Sequence, residues 1–146
     1  VQGRPLDRLT ITGAFAIQDA QLDQADADVG GAKGERLPNV PRFTGVLDAD
    51  YIFDGRHRPR IGTTLRHVSD RTSSFNGSVG TPQYRLPDYF TWDLRAGIRL
   101  GSIDAQLFVR NLLDERGQLS ATTSFGIPRV GILQPRTIGF SLQASF

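Results

Sequence analysis

The chain has 146 residues, enough for one domain with a sizeable core. With 38% of its residues hydrophobic, no run approaches the roughly 18 apolar residues of a membrane helix. Its formal charge of +2, with 16 arginines and Lys33 against 15 acids, lacks the clustered basic excess of a nucleic-acid binder, and the absence of cysteine excludes a disulfide framework and a thiolate metal site.

The first residues, Val1-Gln2-Gly3-Arg4-Pro5, hold neither an initiator methionine nor a charged leader with an apolar core, so a processed chain or a fragment is expected. From residue 9 to residue 17 the pattern has period two. Leu9, Ile11, Gly13, Phe15 and Ile17 share one face, and Thr10, Thr12, Ala14 and Ala16 the other. That is the pattern of a strand between two different environments. A second run over 43–53 sets Phe43, Gly45, Leu47, Ala49, Tyr51 and Phe53 against Thr44, Asp48 and Asp50, with Val46 and Ile52 as exceptions, and a third over 60–68 sets Ile61, Thr63 and Leu65 against Arg60, Gly62, Thr64 and Arg66. The fourth, 90–100, is the cleanest, with Phe90, Trp92, Leu94, Ala96, Ile98 and Leu100 opposing Thr91, Asp93, Arg95, Gly97 and Arg99. The fifth, 103–111, sets Ile103, Ala105, Leu107 and Val109 against Asp104, Gln106 and Arg110, with Phe108 out of phase. The sixth, 137–146, alternates Ile138, Phe140, Leu142, Ala144 and Phe146 with Thr137, Gly139, Ser141, Gln143 and Ser145.

The six strands are joined by links of alternating length. Asp54-Gly55 and Gly101-Ser102 mark short hairpin turns, the second of type II′. The links over 19–42, 69–88 and 112–134 are long and all leave the same end. Alternation alone fits either a soluble sandwich or a membrane barrel. Strand length favours the barrel: nine to twelve residues cross a tilted bilayer path, whereas soluble strands average about five or six. The asymmetry of the links and the aromatics near strand ends favour it too. Whole charges of both signs on the polar face suit a hydrated lumen, where they pair across strands at little cost.

No catalytic constellation is present. His57 lies in a turn and His67 at a strand end, and nothing brings a third metal ligand to them. Asp19, Asp23, Asp26 and Asp28 cluster in the first long link without the spacing of a calcium loop, and read as a solvated segment. Gly30-Gly31-Ala32-Lys33-Gly34 lacks phosphate-loop spacing and reads as flexibility at a loop tip. No cofactor site is read.

Four segments resemble the C-terminal end of a TonB-dependent outer-membrane receptor. They are Arg36-Leu37-Pro38-Asn39-Val40-Pro41-Arg42-Phe43; Leu86-Pro87-Asp88-Tyr89-Phe90-Thr91-Trp92-Asp93-Leu94-Arg95-Ala96-Gly97, with Ile98 where the family has an aromatic; Asn111-Leu112-Leu113-Asp114-Glu115; and Pro135-Arg136-Thr137 leading into an alternating strand that ends at Phe146. The resemblance implies an all-β fold: an antiparallel up-and-down meander of six long strands within a transmembrane barrel of about 22 strands with a plugged lumen. Residues 1–146 would be its C-terminal segment, without the plug, the TonB-binding box or the earlier strands. Six strands cannot close a barrel, so the isolated segment is expected neither to transport nor to insert stably.

The implied function is active uptake of a scarce nutrient across the outer membrane of a Gram-negative bacterium, by default a ferric siderophore, energised through TonB and without bond chemistry. A passive porin and a soluble β-sandwich binding module are the alternatives. Arg71, Arg85, Arg116 and Arg129 fall in the outer loops, where they would meet lipopolysaccharide phosphates or an anionic ferric chelate. Arg66 and Arg110 face the lumen near its outer end, where they would meet ligand or plug, although a salt-bridged lumen wall is the preferred reading of those two. Ile138, Phe140, Leu142, Ala144 and Phe146 match the terminal signal read by the barrel-assembly machinery. The expected partners are the remaining barrel and plug, the TonB complex, that machinery, outer-membrane lipid and the ferric siderophore, and no nucleic acid.

Overall fold

The computed structural model describes residues 1–124 and 127–145, which hold eleven strands and no helix. The strands are β1 (Gln2–Leu6), β2 (Leu9–Ile17), β3 (Phe43–Ile52), β4 (Arg60–Val68), β5 (Arg71–Thr72), β6 (Arg85–Leu86), β7 (Tyr89–Leu100), β8 (Ile103–Arg110), β9 (Gln118–Ser124), β10 (Ile127–Ile132) and β11 (Thr137–Ala144). The main sheet has seven strands in the order β1-β2-β3-β4-β7-β8-β11, every neighbour antiparallel. β5 pairs with β6, and β9 with β10, as two small hairpins within the long links.

The six expected strands are therefore six of seven in the main sheet, which corrects the strand count. β1 escapes sequence reading because Pro5 and Arg4 break its alternation. Proline is tolerated there because β1 is an edge strand, with a register shift between Gly3 and Leu6. Asp7 and Arg8 turn it into β2, adding a third short turn at the end that carries the other two. Gly101 adopts φ 64, the positive value that the first position of a II′ turn requires.

The register separates the faces as the periodicity predicts. Rows such as Thr12↔Asp48↔Thr64↔Asp93 run across the polar face, and Gly45↔His67↔Phe90 across the apolar one. Among the described residues no second sheet covers the apolar face. Phe15 is 63% exposed, Ile138 69% and Phe140 73%, while the buried hydrophobics, Phe75, Leu86 and Ala121, all lie outside the main sheet. Such a continuous exposed apolar face belongs against another apolar phase, and in a barrel that phase is lipid. A soluble sandwich would need a second layer, which the described residues do not supply. Aromatics gather at both ends of the face. Near the long links Phe15 stacks on Phe43 at 6.4 Å, with His67 5.8 Å beyond; near the short turns Tyr51 and Phe53 meet edge-on at 4.7 Å. The Trp92 indole N–H, on the same face, donates to Thr63 Oγ1 at 2.7 Å, so its polar atom is satisfied away from water.

Candidate functional site

The polar face is a wall of cross-strand ion pairs made possible by glycines. Arg95 on β7 donates across β4 to Asp50 Oδ1 at 3.1 Å and to Asp48 Oδ1 at 2.9 Å on β3, and also to Thr64 Oγ1 at 2.9 Å. Gly62 lies between Arg95 and Asp50 in one row, and a Cβ there would overlap both the guanidinium and the carboxylate. Arg60 repeats the device one row on. Its guanidinium crosses Gly97, where a Cβ would come within 2.8 Å of Arg60 Cζ, to pair with Asp104. These half-exposed pairs contribute modestly one by one, about 0.2–1 kcal/mol each, but they order the wall.

Farther along this face a dent of about 290 Å³ is lined by Thr64, Asp93, Arg95, Gln106, Phe108 and Arg110, among others. Phe108, the residue out of phase in the sequence, lies over Gly139 on β11, and the Arg110 guanidinium sits 5.0 Å from its ring. The dent thus presents an aromatic surface, a cation and several hydrogen-bonding groups to one volume. Its visible sequence signal is an aromatic on the wrong phase of an otherwise polar face.

The long links pack on one another. Gly77 N donates to Gly30 O at 3.0 Å, Ser78 Oγ to Val29 O at 2.8 Å, and Asn39 N to Thr72 O at 2.7 Å. Phe75 is buried with its ring beside Gly31, which Leu22 also approaches. The segment over 30–34, expected to be a flexible tip, is instead where the second loop docks: a Cβ on Gly30 would strike the backbone of Gly77. Glu35, which the sequence did not single out, ties the two loops. Its carboxylate accepts from Ala32 N at 3.0 Å, Asn76 N at 2.7 Å and Gln83 Nε2 at 3.4 Å. The backbone N–H of Ala32, followed by that of Asn76, holds its carboxyl below the usual carboxylate range. The acidic run from Asp19 to Asp28 does not converge; Asp26 Oδ1 accepts from Asp28 N at 2.9 Å. No group of three potential metal ligands occurs among the described residues. His57 lies 3.3 Å from Arg99 O and His67 3.6 Å from an Asp88 carboxylate oxygen, at opposite ends of the sheet.

The candidate arginines occupy three different environments. Arg71 is buried and donates to Gln118 O at 3.2 Å and Leu119 O at 2.8 Å, its guanidinium 5.9 Å from the Tyr89 ring. It clamps the second loop to the β9–β10 hairpin. Arg85 is exposed and pairs with Asp70 at 3.2 Å. Arg66, Arg110 and Arg129 are exposed, and the structure does not bring them together with Arg71 and Arg85 into one cluster. Arg116 pairs with Asp114 at 3.0 Å.

The Asn111-to-Glu115 segment forms a knot at the exit of β8. Asn111, buried at φ 52, donates through Nδ2 to Glu115 O and Gln134 O and accepts from Glu115 N, each at 2.9 Å. Its own N–H donates to Asp93 Oδ1 at 2.7 Å. Asp114 accepts from Arg136 N at 2.9 Å, and that N–H holds its carboxyl below the ordinary range. The knot thereby joins the start of the third loop to its end, just before β11. On β11, Ile138, Phe140, Leu142 and Ala144 lie together on the exposed apolar face; Phe146 lies outside the described residues.

Comparison with known proteins places this architecture. Residues 2–112 match the family described as TonB dependent receptor-like, beta-barrel. The metal-pseudopaline receptor CntO of Pseudomonas aeruginosa is 33% identical over 117 residues, covering 78% of this chain and 16% of that protein. The ferric yersiniabactin uptake receptor FyuA of Yersinia pestis superposes with a TM-score of 0.84 at 16% identity, over 99% of this chain and 22% of that one. The ferric-catecholate import receptor Fiu of E. coli K12, in its closed form, gives 0.76 at 24% identity, over 97% and 19%. The chain therefore spans about a sixth of the curated relative and about a fifth of each solved receptor.

Proposed function

The chain belongs to the TonB-dependent receptor-like β-barrel family, and from that premise we propose that it forms part of the wall and outer loops of an active transporter for a metal chelate. The receptors of this family are β-barrels of the Gram-negative outer membrane. The observation that carries the proposal is the division of one sheet into an uncovered apolar face and an ion-paired polar face, with the long links packed together at one end. Residues 1–146 then represent the C-terminal segment of a barrel whose plug and other strands lie outside this sequence. The outer edges of β1 and β11, which pair with no further strand among the described residues, support this, because a sheet edge in lipid leaves its backbone groups without partners.

In this reading the ligand is a ferric siderophore, energy arrives through TonB, and the protein performs no bond chemistry. Arg66 and Arg110, with the Phe108 dent, face ligand or plug. Arg85 and Arg129 meet the ligand or lipopolysaccharide phosphate at the outer surface. Arg71 acts on ligand through the loop that it holds. The apolar row of β11 is the segment read by the assembly machinery. A pseudopaline-type metal complex is the second reading, favoured by the 33% identity to CntO.

The test is uptake in the native host after deletion of the gene. Radiolabelled ferric siderophores and metal-loaded pseudopaline are offered to parent, deletion and tonB-deficient strains. Loss of ferric-siderophore uptake in both mutants supports the first reading, and loss of pseudopaline–metal uptake alone supports the second. Uptake of both by the deletion strain at the parental rate would refute the transport function.

A further inference from the structure

We propose that the short-turn end of the polar face holds a binding site for a phosphate-class oxyanion, formed by Arg58, Arg60 and Arg99. The three side chains and Ile52 line one dent of about 210 Å³. The arrangement is fixed by backbone on both sides. Arg99 N donates to His57 O at 2.8 Å, and His57 Nδ1 lies 3.3 Å from Arg99 O, so the β3–β4 turn is pinned to the end of β7. In that turn Arg58 adopts φ 43, a left-handed conformation uncommon outside glycine and asparagine. A residue kept in such a conformation is a pointer to function. Arg60 is held in place by Asp104 and Gln106, to which its guanidinium donates across Gly97.

The charges do not balance. Asp104 is the one carboxylate that pairs with these arginines among the described residues, bonded to Arg60 and 3.9 Å from Arg99 Nε. The other nearby acids are engaged: Asp50 is held by Arg95, and Asp54 by Arg8. Arg58 has no ion-pair partner among the described residues. Arg95 is shared by Asp48 and Asp50, so Arg58, Arg60, Arg95 and Arg99 together meet three carboxylates and leave an excess of one positive charge, which a phosphate-class anion neutralises. The forked N–H donors of arginine match its oxygens two at a time. The site lies on the polar face at the end opposite the long links, so it is separate from the Phe108 dent and does not depend on which chelate is carried.

The phosphate group has two possible sources, a soluble phosphate and a lipid headgroup, and the test distinguishes them. The protein encoded by the complete reading frame is purified in detergent with 15N-labelled arginine and titrated with inorganic phosphate. It is then reconstituted in phosphatidylcholine vesicles with and without phosphatidic acid. Saturable shifts of arginine side-chain signals in detergent, weakened at least tenfold by R58Q and by R99Q but not by R129Q in the outer hairpin, assign a soluble phosphate. The same shifts appearing only with phosphatidic acid, with the same variant pattern, assign a headgroup. R58Q alters an exposed turn residue, so the barrel is expected to remain folded in that variant. No saturable shift in either setting, or an equal loss with R58Q and R129Q, would overturn the site.

Discussion

Replacing Asn111 with alanine should unfasten the third loop from the barrel wall. The substitution removes three side-chain hydrogen bonds, to Glu115 N, Glu115 O and Gln134 O. At about 1 kcal/mol net for each bond, the loss is about 3 kcal/mol. A further cost of about 1 kcal/mol arises because alanine must hold φ 52, where asparagine is better tolerated. Glycine at the same position loses the bonds without the conformational cost. At 1.4 kcal/mol per decade, a loss of 3–4 kcal/mol raises the population of the locally open loop by about two to three orders of magnitude. Hydrogen-exchange mass spectrometry on the protein in detergent reads this directly. Peptides covering 112–120 and 133–137 should exchange at least a hundredfold faster in N111A, and roughly fivefold less fast in N111G than in N111A, while peptides of β3 and β4 stay as in the parent. Exchange in N111A within twofold of the parent would mean that the knot is incidental to the loop, and the reasoning would fail.

Phe75→Ala removes a buried ring that packs beside Gly31, at a cost of about 3 kcal/mol; limited proteolysis should then cut within both 24–34 and 74–82, because the two loops open together. Arg71→Met leaves the Gln118 and Leu119 carbonyls without their donor, so protease should cleave the β9–β10 hairpin in the variant and spare it in the parent, with β-sheet circular dichroism unchanged. Gly62→Val should displace the Arg95 guanidinium from Asp50 and lower the temperature at which the barrel loses its heat-modifiable gel mobility, whereas valine at Gly34, where no neighbour approaches, should have a smaller effect despite its positive φ. Glu35 gives a pH dependence. Its carboxyl is held below its usual range by donors that bind the charged form, so its contribution to loop docking is fully present above the unfolded pKa and is lost as pH falls through the lower folded value; hydrogen exchange in 74–84 should accelerate on acidification below about pH 4.5, and E35Q should flatten that step.

Much of the fold was legible because a strand has period two. Thr91, Asp93 and Arg95 cannot share a face with Trp92 and Leu94 in any extended chain, so the sequence alone separated the faces, and Gly55 and Gly101 located the turns between them. The same local rule failed at β1, where Pro5 and Arg4 remove the alternation and only pairing with β2 makes a strand. It also failed inside the long links, whose short hairpins carry no sustained period. Phe108 stood out in the sequence as a phase error, but its place over Gly139 and beside Arg110 depends on β11, some thirty residues later.

What the sequence by itself determined was which side chains lie on which face, since that follows from backbone geometry residue by residue. Only the tertiary structure decided who pairs with whom. Arg95 reaches Asp48 and Asp50 because the register brings residues 45 and 47 positions apart into adjoining rows, with Gly62 leaving the space between them. Arg71, on composition an exposed loop cation, is buried because the β9–β10 hairpin folds over it and offers two carbonyls. Glu35 becomes a fastening only when the loop carrying Asn76 and Gln83 docks beside it. Charge and polarity are local properties of the chain; partners are set by distances that only packing closes.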